Sequence, residues 1–352
     1  MIGGNESVLS RLSSGARIVV IRLRSMGDTV LTTPALRLLK AARPDVQIFV
    51  VVERPWDRLL ESNADVAGSI ICDRGVRWKA AAAIRRLRPE LCLNLHGGSA
   101  SAALTALSGA AWRAGFAHFP FQAAYNVAIP RAQEVLRRAT NAPVHTAEHL
   151  ASAVFYLGAP SGEIPAARLF AEAAPRTSPY AVLHVAAAYF TKQWPTARFV
   201  ALGRWLRETL GLEPILIAGP GQGNLLAGVE GCETSANLSV GGLMSLIKGA
   251  RLFVGNDSGP AHVAAAFGVP CVVIFGSSNS SVWRPWKTRY EVVETAWTCK
   301  PCPGDRCYAF DEPRCILSVP LEVVQQAVLA VTGQREPGAF APVSAASAFP
   351  HD

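Results

Sequence analysis

Two doubly wound α/β domains, each a parallel sheet covered by helices on both faces, are the fold the sequence predicts, and three observations predict it. Short apolar runs alternate with helix-period segments from Ala16 to Leu95, and the same alternation restarts at Ala181. A Pro- and Ala-rich stretch from Ser161 to Pro179 separates the two series and reads as a linker. In both halves, glycine-bearing turns lead from a strand into a helix, at Gly27, Gly97 and Gly259. The expected organisation is a flexible leader over 1–15, a first domain over 16–170, a second over 178–332 and a disordered tail over 334–352.

In the first half, Ala16 to Leu23 is an apolar strand interrupted only by Arg17 and Arg22. The Gly27 turn then opens a helix whose Val30, Leu31, Leu36 and Leu39 recur at helical spacing until Pro44 stops it. Next come a strand Gln47–Val52, a helix near Trp56–Glu61, a strand Gly68–Cys72, an Arg-rich amphipathic helix Trp78–Leu87 and a strand Leu91–Leu95. His96 and Gly97 follow in a Gly-rich turn that opens another helix, and the helix beginning at His145 is closed by Gly158 and Pro160. In the second half the strands are Ala181–Val185, Pro214–Ala218, Leu252–Val254 and Cys271–Phe275. The helices are Thr196–Leu210, Val240–Lys248, a short one opening at Pro260, and Leu321–Val331.

Chemistry should sit at the strand-to-helix turns, where main-chain N–H groups point outward and glycine lets a ligand approach. The segment GNDSGPAH, Gly255 to His262, is the strongest candidate, with Asp257 or Ser258 available as caps and an anion as the natural guest. Lys192 follows a strand end and would stand on the same carboxyl edge, so that Lys192 and the helix start after Gly259 form a diphosphate cradle. Asp28 lies at the mouth of the first helix, as a cap or as a base. His96 is a candidate for an acceptor hydroxyl or phosphate.

Composition narrows the partners. A net charge of +8 favours an acidic partner such as a nucleotide, a phosphorylated glycan or an anionic membrane surface. Nucleic acid is not expected, because no basic stripe interleaved with aromatics is present. No run reaches the roughly 18 to 20 apolar residues of a membrane span, and the first residues have no apolar signal segment, so a cytoplasmic location is expected. No G-x-G-x-x-G is followed by a suitably placed acid, which argues against nicotinamide chemistry. Of eight cysteines, Cys72, Cys92, Cys232 and Cys271 read as small buried apolar groups. Cys299, Cys302, Cys307 and Cys315 lie close together in the chain, and a structural zinc or iron is the metal reading that this segment admits.

Together, SMGDTVLTTPAL, TKQWP and GNDSGPAHVAAAFGVPCVVIFG resemble glycosyltransferase family 9, the lipopolysaccharide heptosyltransferases, over about Ala16 to Val331. The resemblance implies the GT-B architecture, two Rossmann-like domains facing each other across a cleft, with acceptor bound mainly by the first and nucleotide sugar by the second. It implies an inverting transfer of heptose from ADP-heptose to a phosphorylated glycolipid acceptor at the inner membrane surface, without a catalytic metal or other cofactor. Asp28 occupies the position of the general base; Lys192, Gly219, Gln222, Asp257, Ser258, Gly259 and His262 fall on the donor side, and Met26, Gly27, His96 and Gly97 on the acceptor side. Three departures bear on donor and acceptor identity: GPGQGN lacks a glutamate frequent after this strand, AAAYF has no Ser or Thr before Lys192, and HGG differs from the usual turn. Another nucleotide sugar, a protein acceptor or a non-catalytic nucleotide-sugar binder are the alternatives.

Overall fold

A computed structural model describes residues 7–334 and 343–344 of the chain. It divides into two compact units, Met1–Phe170 and Ala171–Asp352, and the boundary falls inside the Ser161–Pro179 stretch.

The first unit runs β1 (Arg17–Ile21), α1 (Met26–Ala42), β2 (Gln47–Val52), β3 (Gly68–Ile71), α2 (Arg77–Leu87), β4 (Leu91–Asn94), α3 (Ser99–Leu107), β5 (Trp112–Phe116), β6 (Val127–Ile129), α4 (Ala132–Val135) and α5 (Thr146–Leu157). Among the described residues its sheet is six-stranded, all parallel, in the order β3-β2-β1-β4-β5-β6. That order reverses direction between β1 and β4, the place where open α/β sheets bind ligands outside the strand ends. β1 is central because Ile18 to Ile21 are apolar on both faces and wholly buried.

Helix α1 shows how local chemistry sets an element. Ser25 and Asp28 form a capping box at its start, and Gly27 lies inside the first helical turn rather than in a turn before it. Pro34 sits within the helix and cannot donate to Val30; the Thr33 hydroxyl donates to that carbonyl at 2.8 Å instead. The segment near Trp56 is only a short 3₁₀ turn, Trp56–Leu60, behind Pro55.

The second unit repeats the scheme with β7 (Tyr180–His184), α6 (Thr196–Leu210), β8 (Glu213–Ala218), β9 (Glu233–Ala236), α7 (Val240–Lys248), β10 (Leu252–Asn256), α8 (Gly259–Ala266), β11 (Cys271–Phe275), α9 (Ser280–Trp283), β12 (Tyr290–Ala296), α10 (Arg314–Leu317), α11 (Leu321–Thr332) and β13 (Val343–Ser344). Its described strands are also parallel, ordered β13-β12-β11-β10-β7-β8-β9, with the reversal between β7 and β10. The core beneath them includes Leu183, Trp194, Phe199, Leu216, Val254, Ile274 and Val328.

Several expectations change. Residues 7–15 of the expected leader are packed: Val8, Leu9 and Leu12 are buried, because this short apolar set finds a surface on the first unit. Residues 1–6 lie outside the described part. Of the expected tail, Val343–Ser344 pair in parallel with Thr295–Ala296, so those two residues are an edge strand; 335–342 and 345–352 lie outside the described residues. The linker has no helix or strand, yet Ile164, Ala167 and Leu169 are buried and the Arg168 amide donates to Thr33 Oγ1 at 2.9 Å. Strands β5, β6, β9 and β12 were not legible as strands, being short or carrying polar residues. No helix among the described residues is long and apolar enough to cross a membrane.

Candidate functional site

Each unit gathers polar groups at the carboxyl edge of its sheet, beside the reversal of strand order. In the first, Ile21 of β1 stands opposite Asn94 of β4, which brings Arg22 and the turn after β4 side by side. Arg22 forms an ion pair with Asp28 Oδ1 and also donates to the Leu95 carbonyl. Asp28 Oδ2 accepts from the Ser25 amide at 2.9 Å and the Ser25 hydroxyl at 3.2 Å. The Asp28 side chain keeps 20% of its surface exposed, so it can meet a substrate. Asp28 is therefore a capping residue and also a solvent-reachable acceptor. Met26 and Gly27, the other members of this turn, are half-buried and buried.

His96 lies next to this pair. Burial pushes its imidazole down to about 4, Arg22 pushes the same way, and Asp28 opposes them. The turn that carries it is shaped by the buried Asn94, whose Oδ1 accepts from the His96 amide at 2.9 Å and the Gly97 amide at 3.1 Å. Gly97 has φ +80°, and a Cβ there would fall 2.7 Å from the Phe119 ring, so glycine is required. His149 of α5 stacks on Phe116 with ring centres 4.0 Å apart, and His118 is 5.6 Å from it. Burial lowers the His149 pKa to about 4, with His118 and Arg22 adding to the effect. His96 and His149 are thus neutral near pH 7.

In the second unit three adjacent strand ends supply the site. Lys192 follows β7, Asp257 follows β10 and Ser278 follows β11; Lys192 Nζ lies 2.8 Å from Asp257 Oδ2, and the Ser278 hydroxyl donates to the same oxygen. Asp257 is only 8% exposed in its side chain. It is an internal counter-ion that fixes the lysine, and as an anion it would repel a phosphate. Asn256 holds the Lys192 segment in place: its Oδ1 accepts from the Trp194 amide at 3.0 Å and its amide donates to the Val185 carbonyl at 2.9 Å. Buried Trp194 completes the anchor by donating to the Val319 carbonyl at 2.9 Å. Gly276 packs against the same segment, where a Cβ would lie 2.1 Å from the Thr191 carbonyl oxygen.

Helix α8 begins at Gly259 with Pro260 in its first turn, and Ser258 is the N-cap. Neither expected side-chain cap forms. The Ser258 hydroxyl instead lies 3.0 Å from His184 Nδ1 and donates to the Asn256 carbonyl at 3.1 Å, while Asp257 is held by Lys192 and Ser278. No side chain caps the helix start; Pro260 has no N–H and the Ala261 amide donates to the Ser258 carbonyl at 3.1 Å, so the Gly259 N–H and the positive end of the helix are what remain for an anion. His184 is buried and its pKa is lowered to about 4. His262 is buried within α8, its ring 6.3 Å from that of Trp283.

On the β8 side, the Gln222 amide nitrogen donates back to the Gly219 carbonyl at 3.0 Å, and Gln222 Nε2 donates to the Ala187 carbonyl at 3.0 Å. Gln222 thus ties two turns together. Exposed Tyr189 and Phe190 border Lys192. A groove of about 800 Å³ bounded by Arg176, Tyr180, Glu213 and Glu233 lies at the opposite, amino-terminal edge of this sheet, and Arg176 is consumed there by Glu233 at 2.6 Å.

Among the described residues no three His, Cys, Asp or Glu side chains are placed to hold an ion. All four C-terminal cysteines are free thiols, with Cys315 buried at the start of α10 and Cys299 exposed. Cys302 has a different role: its amide donates to the Ser277 carbonyl at 3.0 Å, tying this loop to the turn after β11. Cys72, Cys92 and Cys271 are buried as expected, and Cys232 is half-buried.

Sequence reading missed Arg22 as a partner of Asp28, and missed Asn94, His149, Asn256 and Ser278. A charge inside an otherwise apolar strand was the available signal for Arg22. Ser278 had only its place after a strand-end glycine.

Fold and site together define the class: a glycosyltransferase of the two-Rossmann-domain, GT-B type. Comparison with known proteins then gives the family. Residues 77–309 match the family described as glycosyltransferase family 9 (heptosyltransferase). The chain is 28% identical over 307 residues to lipopolysaccharide heptosyltransferase 3 of Escherichia coli, covering 75% of this chain and 84% of that one. It is 26% identical over 319 residues to lipopolysaccharide heptosyltransferase 1 of Pseudomonas aeruginosa, covering 83% and 87%. Among solved structures, the ADP-heptose lipopolysaccharide heptosyltransferase II of Escherichia coli superposes with a TM-score of 0.75 at 19% identity, over 90% of this chain and 99% of that one. A family 9 glycosyltransferase from Veillonella parvula gives 0.74 at 21% identity, over 92% and 98%. The chain belongs to glycosyltransferase family 9.

Proposed function

We propose that this enzyme transfers a heptose from ADP-heptose to a lipopolysaccharide inner-core acceptor or a related phosphorylated surface glycolipid, with inversion and without a catalytic metal. The observation that carries the reading is the edge of the second unit, where Lys192 stands beside the uncapped start of α8. Leaving diphosphate gains negative charge as its bond to the sugar breaks, and an ammonium with oriented main-chain N–H groups offsets that charge. In this reading Lys192, the Gly259 N–H and the positive end of α8 do the work a divalent cation does elsewhere. The names of the relatives, lipopolysaccharide heptosyltransferases 3 and 1, support the sugar and the acceptor class.

The step is a single displacement. An acceptor hydroxyl oxygen attacks the anomeric carbon, the bond from that carbon to the diphosphate breaks, and its electron pair leaves with ADP. The hydroxyl proton passes to Asp28, which offers a carboxylate already oriented by Ser25 and neutralised by Arg22. Arg22 must keep a contact with Asp28 loose enough for one oxygen to take that proton. The reading requires the two units to bring Asp28 and the donor cradle to one acceptor–donor pair during turnover.

The donor side is tested by measuring nucleoside diphosphate release from ADP-heptose against UDP-, GDP- and other ADP-sugars, with and without a chelator. Turnover on ADP-heptose that survives chelation is the expected result. Preference for a different donor, or loss of turnover on chelation, overturns the corresponding part of the proposal.

A further inference from the structure

Helix α2 and the turn before it form an exposed surface that the transfer reaction does not use. From Arg74 to Arg88 the sequence reads RGVRWKAAAAIRRLR, with six cationic side chains and no acidic one. Arg74, Arg77, Lys79, Arg85, Arg86 and Arg88 are all exposed, and none has an ion-pair partner among the described residues. The helix is anchored by its opposite face, where Ala80 and Ile84 are buried in the core of the first unit. Trp78 is 68% exposed and Val76 36% exposed, so two apolar side chains project at the amino-terminal end of the cationic surface. Lys79 Nζ lies 5.6 Å from the centre of the Trp78 ring.

An exposed indole costs solvation free energy unless something covers it. Unpaired cations around it select an anionic cover, and an indole with flanking lysine and arginine is the residue set that sits at the headgroup level of a bilayer. The location agrees. Strand β3 runs parallel to its neighbours and leads directly into α2, so the amino-terminal end of α2 lies at the carboxyl edge of the sheet, the edge that carries Asp28. A surface bound there would hold that edge toward a lipid-anchored substrate.

We infer that α2, with Val76 and Trp78 as an apolar wedge and the six cations as its collar, docks this enzyme on a bilayer containing anionic phospholipid. The inference rests on the proposed glycolipid acceptor for its purpose, although its test does not depend on that acceptor. Binding should be electrostatic with an apolar contribution, hence weakened by salt and by loss of the indole.

The experiment is flotation of the full chain with phosphatidylcholine vesicles containing or lacking phosphatidylglycerol, at low and high salt. Binding to the anionic vesicles alone is expected, falling more than tenfold in an Arg85→Glu/Arg86→Glu variant and several-fold in Trp78→Ala. These side chains are exposed, so thermal unfolding of both variants should match the parent and show that any loss is not a folding defect. Absence of binding by the parent chain overturns the inference. So does binding that ignores lipid charge, or that persists in the double variant. Nucleoside diphosphate release with a soluble, delipidated acceptor should be unchanged in both variants, so failure of the transfer proposal and failure of the docking proposal give different results.

Discussion

Each half of this molecule places an aspartate and a cation at a strand-to-helix turn, and the two pairs are built for opposite ends. In the first unit Asp28 lies within the first turn of its helix, 20% exposed, with Arg22 on one oxygen and Ser25 on the other. In the second unit Asp257 precedes its helix, is 8% exposed, and takes Lys192 and Ser278 on one oxygen. The first arrangement leaves a carboxylate that a substrate hydroxyl can reach. The second sinks the carboxylate so that the lysine and the helix start are what a ligand meets. In the proposed reaction, one strand-turn-helix plan thus serves as a proton acceptor or as an anion receptor, according to which side of the cap the acid occupies.

This contrast is broken most directly at Asp28. Asp28→Asn keeps the shape and can still accept the Ser25 amide, so donor binding should persist while kcat falls about a hundredfold to ten-thousandfold. Steady-state turnover with donor affinity measured separately by calorimetry checks it, and turnover equal to the parent would remove Asp28 from the chemistry. Lys192→Ala should cost about a hundredfold in kcat/KM through lost stabilisation of the leaving group. Because Asp257 would also lose its counter-ion, Lys192→Ala/Asp257→Asn should recover stability but not turnover, which unfolding and rate measurements together resolve.

A smaller effect belongs to Ser278. Replacing it by alanine leaves Asp257 with Lys192 alone and should lower stability by about 1–3 kcal/mol, read from denaturant unfolding. An unchanged midpoint would show that Ser278 is not part of the scaffold.

A further effect, absent at neutral pH, distinguishes the units. His96 and His149 in the first unit and His184 in the second are held near a pKa of about 4 by burial, below the ordinary value of about 6.5 for an exposed histidine. The unfolded chain therefore binds more protons than the folded one between those values. The stability these groups confer is complete above about pH 6.5 and is lost as pH falls toward 4, with at most about 1.4 kcal/mol per pH unit from each. His118 in the first unit is also lowered by burial. Hydrogen exchange resolved by unit should show the first unit losing protection before the second as the solution is acidified. Simultaneous loss would show that other groups dominate.

Much of the fold was legible in the residues, because apolar period and glycine placement act within a few residues of themselves. Helix starts at Ser25 and Ser258 follow from Ser-Met-Gly-Asp and Asp-Ser-Gly-Pro, and strands such as Leu91–Asn94 are continuous apolar runs. Strands β9 and β12 escaped notice for the same reason: Glu233–Ala236 and Tyr290–Ala296 carry polar residues where the sheet edge or a partly covered face meets water. Short segments take their structure from the surface they meet, which their own residues do not show. Val8, Leu9 and Leu12 found a core, and the Cys302 amide found Ser277.

By itself the sequence determined two alternating α/β series, and it marked the strand-to-helix turns with Asp28, Lys192 and the Gly259 helix start as candidates for chemistry. Tertiary structure alone decided which cation meets which acid. Arg22, paired with Asp28, reaches the Leu95 carbonyl because β1 lies beside β4, and Lys192, Asp257 and Ser278 converge because β7, β10 and β11 are neighbours in the sheet. Residues 65 positions apart, as Lys192 and Asp257 are, become partners only through strand order, and strand order is fixed by the packing of the whole sheet.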